Sequence, residues 1–218
     1  MGTSAVPGTS NLSDERVAIR AASSSGPADQ DLIRSVVGGN GVAFAAIVDR
    51  YKDRLYNTAY RLIGSHEDAR DVLQDVFLKA YENLEAFRGG SSLYTWLFRI
   101  AVNTSLSHRR KRRTAGTVSL NGEEGRPDGR PDPAPATAGR AEDPTDPLEV
   151  AEKEAAVQEA LSRLDEESRT VIVLRDIQHC DYREIAQILE VPPGTVKSRL
   201  HRARLVLREH LRPLLGKP

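Results

Sequence analysis

Cysteine is almost absent from this chain. Cys180 stands alone among 218 residues, so no intramolecular disulfide and no cysteine-rich zinc site can form. Long hydrophobic runs are missing too: no apolar stretch approaches the roughly 20 residues of a membrane span. The N-terminus also lacks the apolar core of a signal peptide. A reducing cytoplasm is the expected location, with no direct membrane insertion. No segment shows strand alternation of convincing length. The acidic and histidine residues fall into no metal-ligand or triad spacing, so neither cofactor, metal nor catalytic residue is expected. Net charge is lacking as well, because 31 Lys+Arg balance 31 Asp+Glu. That balance excludes little, since local field rather than net charge governs attraction to an anionic partner. The run His108-Arg109-Arg110-Lys111-Arg112-Arg113 and the segment from Lys197 to Arg208 are basic, while the stretch between them contains an acidic, Pro/Gly-rich segment.

What is present is helical periodicity. The hydrophobic share of 39% supports real cores in one or two small domains. Residues 1–28 are rich in Ser, Gly, Ala and Thr without periodicity and read as a disordered extension. Residues 29–113 form a first helical block, 114–146 a flexible linker with almost no large apolar side chain, and 147–218 a second block. The expected class is all-α in two domains. Asp29 is placed to cap a helix through Val37. A second helix spans Val42 to Ile63 on Phe44, Ile47, Val48, Tyr51, Leu55, Ala59 and Leu62, and stops at Gly64. Ser65 opens a third over His66 to Leu84, with the spacing of a capping box to Asp68. A flexible loop, Phe87 to Ser92, precedes a helix that starts near Leu93 and ends in the basic run.

In the second block, helices are expected over Pro147–Leu164 and Glu166–Ile177, followed by a helix-turn-helix. Asp181 caps the short helix Tyr182–Leu189. Pro192-Pro193-Gly194 stops it, since proline cannot donate the helical hydrogen bond, and Thr195 caps the next helix. On that helix Val196, Leu200, Ala203 and Leu207 share a packing face, whereas Lys197, Ser198, His201 and Arg202 look outward, where a major groove would lie. Arg199, Arg204 and Arg208 flank that face at angles suited to phosphates, which position a protein without reading sequence.

Four segments together resemble the extracytoplasmic-function type of bacterial sigma factor. They are Asp71-Val72-Leu73-Gln74-Asp75-Val76-Phe77-Leu78-Lys79-Ala80-Tyr81, the stretch from Phe87 to Asn103, Leu161-Ser162-Arg163-Leu164, and the helix-turn-helix. The resemblance implies a transcription initiation factor whose region two and region four are joined by a variable linker. It implies that Asp71, Gln74, Asp75, Leu78 and Lys79 dock on the clamp helices of the largest subunit of core RNA polymerase, with region four at the flap of the second-largest subunit. It implies that the minus-ten element is read as an extruded base by the loop Arg88, Gly89, Gly90, Ser91 and Ser92 together with Asn103, whose amide both donates and accepts. Tyr94, Arg99, Arg109 and Arg110 would complete that face. Trp96, beside Leu93, Leu97 and Ile100, reads as core rather than as a stacking platform. At the minus-thirty-five element the implied readers are Thr195, Lys197, Ser198, Arg199, His201 and Arg202, with Arg175, Tyr182 and Arg183 adding backbone contacts. An anti-sigma factor, often membrane-bound and wedged between the domains, is implied as a further partner.

The chain departs from the family at Gln178-His179-Cys180-Asp181, where a Gly-Leu-Ser turn is common. Asp181 keeps the capping role and Cys180 fills the leucine slot as a small hydrophobe. Arg183 stands where an acid is frequent. A tether of the linker's length averages roughly 33 Å as a coil and reaches about 120 Å fully extended. Promoter elements two turns apart lie roughly 70 Å from one another. Polymerase is therefore expected to hold the domains apart, and the free protein to be compact or flexible. The rival reading is a polymerase-independent helix-turn-helix regulator.

Overall fold

A computed structural model of the protein describes residues 27–119 and 147–212. Most of the expected N-terminal extension and of the expected linker lies outside the described residues, as does 213–218. Among the described residues the structure is helical throughout, with no strand. Helices α1 (Pro27–Val37), α2 (Val42–Ile63), α3 (His66–Asn83) and α4 (Leu93–Ser119) form an N-terminal bundle. Helices α5 (Pro147–Ser162), α6 (Glu166–Ile172), α7 (Tyr182–Leu189) and α8 (Pro193–Leu211) form a C-terminal one, with a π-turn at Val173–Ile177 after α6.

The apolar stripes read from sequence supply the N-terminal core. Ile47, Leu55 and Leu62 of α2, Val72 and Val76 of α3, and Leu93, Leu97 and Phe98 of α4 are buried against one another. Gly64 ends α2 in the left-handed conformation at φ 91°, which glycine alone adopts without steric cost. Ser65 caps α3 by accepting from the Asp68 amide at 3.3 Å. Asp29 behaves differently from the expected cap. It lies inside a helix that already begins at Pro27, and its buried carboxylate accepts from the Tyr51 hydroxyl at 2.8 Å and from Arg50. A carboxylate reachable by two donors of the neighbouring helix is better used there than at an exposed helix end. Burial and this acceptor push the Tyr51 phenol above its ordinary range.

In the C-terminal bundle, Ile185 and Ile188 of α7 pack on Val196, Leu200 and Ala203 of α8. Asp181 caps α7 through a complete capping box. Its carboxylate accepts from the Arg183 and Glu184 amides at 2.7 and 2.8 Å, and the Glu184 carboxylate accepts from the Asp181 amide at 2.7 Å. Asp181→Ala should lower the unfolding free energy by about 1 kcal/mol, with Asp181→Asn retaining most of it. Urea denaturation followed by circular dichroism measures both.

The turn between α7 and α8 corrects the expected one. Glu190, not the prolines, ends α7, in a left-handed conformation at φ 55°. Pro192 is the N-cap of α8 and Pro193 its first residue, where the missing amide costs nothing, so Thr195 lies inside the helix and is no cap.

Polar contacts as well as packing tie the bundles together. The buried Arg169 guanidinium donates to the carbonyls of Leu161, Ser162 and Leu164 at 2.7, 2.6 and 3.0 Å, and across the seam to the Leu62 carbonyl at 3.0 Å. It thereby satisfies helix-end carbonyls of α5 and α2 at once. Burial, and then the nearby Arg109, hold Arg169 down at about 10. At the other end of the seam α4 lies against α7.

Candidate functional site

Three surfaces gather the residues singled out by sequence. On α3 the buried face is Ala69, Val72, Val76, Phe77 and Ala80, which leaves Asp71, Gln74, Asp75 and Leu78 on one exposed strip. Leu78 is 55% and Tyr81 51% exposed, and Tyr81 meets Phe44 edge-on at 5.1 Å. Tyr81, the last residue of the segment that carries the resemblance, was not singled out as a docking side chain, although its spacing from Leu78 and Gln74 places it on this strip. Lys79 turns off the strip, donating to Thr104 Oγ1 of α4 at 3.1 Å. The strip thus joins two carboxylates and an amide, suited to guanidinium partners, to two uncovered apolar side chains.

The second surface surrounds the loop before α4. Gly89 sits at φ 71° with nothing within 4 Å of the side chain it lacks, so here glycine serves the backbone and not a close approach. Ser92 caps α4, its Oγ accepting from the Thr95 amide at 3.0 Å. One cavity of about 390 Å³ is lined by Gln30, Ile33, Arg34, Phe87, Gly89 and Ser91. Another, of about 310 Å³, lies between Arg88, Gly90, Ser91, Trp96 and Arg99 and is closed on one side by Gln187 of α7.

Asn103 is exposed but does not join the loop. It lines a third cavity, of about 440 Å³, with Lys79, Asn83, Trp96, Ile100 and Ser107. Trp96 is the wall shared by the second and third cavities. Expected as core, it is half-buried, with its ring 5.3 Å from Phe87. Asn83, Phe87 and Trp96 are therefore site candidates that the sequence did not distinguish from packing residues.

Tyr94 and part of the basic run sit deeper than expected. Tyr94 is fully buried, with Arg54 donating to its hydroxyl at 2.8 Å and Cys180 Sγ 3.1 Å away. In this conformation it is a packing residue and cannot stack on a base. Arg112 pairs with Asp68, and Arg110 approaches Glu166 at 3.9 Å. Arg109 is half-buried, with its Nη1 buried and unpartnered, and burial lowers its affinity for its proton. Arg109, Arg110, Arg112 and Arg113 line a cavity of about 350 Å³ beside Glu166.

The third surface is the outward face of α8. Lys197, Ser198, His201 and Arg202 are exposed and side by side, while Val196, Leu200 and Ala203 are buried as the helical projection requires. Thr195 and Arg199 are half-buried. Arg199 donates to Glu167 at 2.9 Å and Arg204 to Asp176 at 3.0 Å, so two flanking cations already hold carboxylates. The Asp176 partner strengthens Arg204's hold on its proton. Arg175 donates to the Cys180 carbonyl at 2.7 Å and lies 5.0 Å over the ring of Tyr182. Arg183 is exposed beside them.

Helices α7 and α8, crossed over a three-residue turn with one outward basic face, place the C-terminal bundle in the class of helix-turn-helix DNA-binding modules. Comparison with known proteins refines that class. Residues 47–115 match the Sigma-70 region 2 family model and residues 154–207 the Sigma-70, region 4 model. The ECF RNA polymerase sigma factor SigW of Bacillus subtilis is 37% identical over 182 residues, covering 84% of this chain and 96% of that protein. The RNA polymerase sigma-H factor of Pseudomonas aeruginosa is 35% identical over 199 residues, covering 86% and 95%. Among solved structures, the sigma factor RpoE of Bartonella quintana, crystallised with the anti-sigma factor NepR, superposes with a TM-score of 0.61 at 29% identity. That match covers 78% of this chain and 96% of the other. The chain belongs to the extracytoplasmic-function sigma factors of bacterial RNA polymerase.

Proposed function

We propose that the protein selects promoters for core RNA polymerase through a division of labour between its bundles. The N-terminal bundle is region two, joined to region four, the C-terminal bundle, by a linker that starts later than the expected residue 114, because α4 continues to Ser119. The α3 strip docks on the clamp helices of the largest subunit, with Asp71, Gln74 and Asp75 hydrogen-bonding basic partners and Leu78 and Tyr81 covering apolar ones. Region two takes an unpaired base of the minus-ten element beside Trp96, in the cavities flanked by the Arg88–Ser92 loop and by Asn103. Arg99, Arg109 and Arg110 hold the strand's phosphates. Region four lays α8 in the major groove of the minus-thirty-five element, where Lys197, Ser198, His201 and Arg202 reach base edges. Arg183 and Thr195 stand near the backbone, and region four contacts the polymerase flap. Nucleotidyl transfer belongs to the polymerase. An anti-sigma factor controls the chain in the cytoplasm.

The observation that carries this reading is the outward face of α8. Its four polar side chains are exposed while the cations on either side, Arg199 and Arg204, are spent on carboxylates. A merely solubilising helix has no reason to sort its charges so. Incubating the purified chain with core enzyme on genomic DNA of its host and sequencing the transcripts tests the reading. The expected result is a discrete set of start sites that share two upstream motifs. Start sites indistinguishable from those of core enzyme alone would contradict it.

A further inference from the structure

The basic end of α4 concentrates its charge in a concave place. Arg109, Arg110, Arg112 and Arg113 line the cavity of about 350 Å³ with Ile63, the last residue of α2, and Glu166, the first of α6. That volume lies near the lower end of the ~300–1,000 Å³ typical of small-ligand pockets. Four guanidiniums share the lining with one carboxylate. Asp68, outside the lining, pairs with Arg112, and even with it counted the cations outnumber the carboxylates by two.

The protein's own acceptors do not satisfy this cluster. Arg110 reaches Glu166 only at 3.9 Å, too far for a hydrogen bond. Arg109 Nη1 is buried without an acceptor. Burial, and then Arg113, work against the charge of Arg109, while Glu166 favours it. An unpaired buried donor is costly, and more so when it is charged. The flanking arginines of α8 show the contrast, since Arg199 and Arg204 each hold a carboxylate of their own. Guanidinium is the cation that grips phosphate oxygens in bidentate fashion. A single phosphate offers few oxygens to so many forks. Linked phosphates bring a charge and a set of acceptors to each.

We propose that this cleft binds a small polyanion, a ligand carrying two or more linked phosphates, between the end of α4 and the start of α6. Arg109 and Arg113 grip its phosphates, Arg110 and Arg112 flank them, and Glu166 limits the affinity from the opposite wall. The site goes beyond promoter selection and does not rest on it. Where Arg109 and Arg110 also hold strand phosphates, ligand and promoter compete for them.

Isothermal titration calorimetry of the full-length chain at fixed ionic strength tests the site. The probes are sodium tripolyphosphate, ATP without magnesium, and orthophosphate. Tripolyphosphate should bind once per chain and at least ~30-fold more tightly than orthophosphate. ATP binding as tightly as tripolyphosphate, or more so, assigns the site to nucleotides, and weaker ATP binding assigns it to inorganic chains. Arg109→Gln should weaken tripolyphosphate binding at least ~10-fold. Glu166→Gln should tighten it several-fold, a change of sign that a damaged fold cannot produce. Arg70→Ala, which removes an exposed cation of α3 outside the cleft, should leave it within about twofold. Orthophosphate binding as tightly as tripolyphosphate would overturn the site, as would the absence of saturable heat. So would affinities unchanged in both Arg109→Gln and Glu166→Gln, or weakened equally by Arg70→Ala and Arg109→Gln, the mark of a diffuse basic surface. Should Arg109→Gln unfold the bundle, Glu166→Gln decides alone. No polymerase or DNA enters the measurement, so its failure would leave promoter selection standing, and the failure of promoter selection would leave the site.

Discussion

Asp75→Arg should reduce the affinity of the chain for core RNA polymerase by at least ~100-fold while leaving its thermal melt unchanged. The size of the effect follows from the geometry of α3. Asp75 is exposed on the strip that also carries Asp71, Gln74 and Leu78, and it makes no contact that the bundle needs. Reversal removes an acceptor and sets a cation against the basic partner, and like-charge juxtaposition across an interface costs several kcal/mol. A neutral change, Asp75→Asn, should weaken binding less, because the amide still accepts. Lys79→Ala is the informative contrast. Its ammonium is engaged with Thr104 and points toward the Asn103 cavity, so its loss should leave core affinity within about twofold and act on promoter opening instead. Fluorescence anisotropy of labelled chain titrated with core enzyme reads all three variants.

The second large effect is expected on α8. Arg202→Ala, in the holoenzyme, should cost about 1–3 kcal/mol of promoter affinity and relax the preference at one base pair of the upstream element. Arg204→Ala should behave otherwise. Its guanidinium already holds Asp176, so the variant frees a carboxylate near the duplex and should weaken binding evenly across sequences. A binding assay over a randomised minus-thirty-five library separates loss of selectivity from loss of affinity. Equal shifts for every sequence in Arg202→Ala would remove that residue from the readers.

Much of this was legible because helical period and end signals are local. The stripes of α2 and α3, the stop at Gly64, the Ser65 and Asp181 caps and the two faces of α8 each depend on residues within a few positions of one another. Failures came where a partner distant in sequence decided the outcome. Asp29 reads as a cap until Tyr51 and Arg50 of the next helix claim its carboxylate. Tyr94 stands on the minus-ten face by resemblance until Arg54 and Cys180 enclose it. Trp96 reads as core because its neighbours in sequence are apolar, but it stands between two cavities. Arg169 gives no sequence signal at all, since its four acceptors are backbone carbonyls supplied by two helix ends. The seam was foreseen only as compactness. Its chemistry lies in an atypical turn whose side chains acquire meaning from α2 and α4.

Neither bundle should select a promoter unless the polymerase brings both to it together. DNase footprinting on a promoter identified by its own transcripts tests this most directly, with the free chain and with the chain bound to core enzyme. With the holoenzyme, two protected stretches about two helical turns apart are expected, and with the free chain at the same concentration no specific protection. Equal protection by the free chain alone would contradict it.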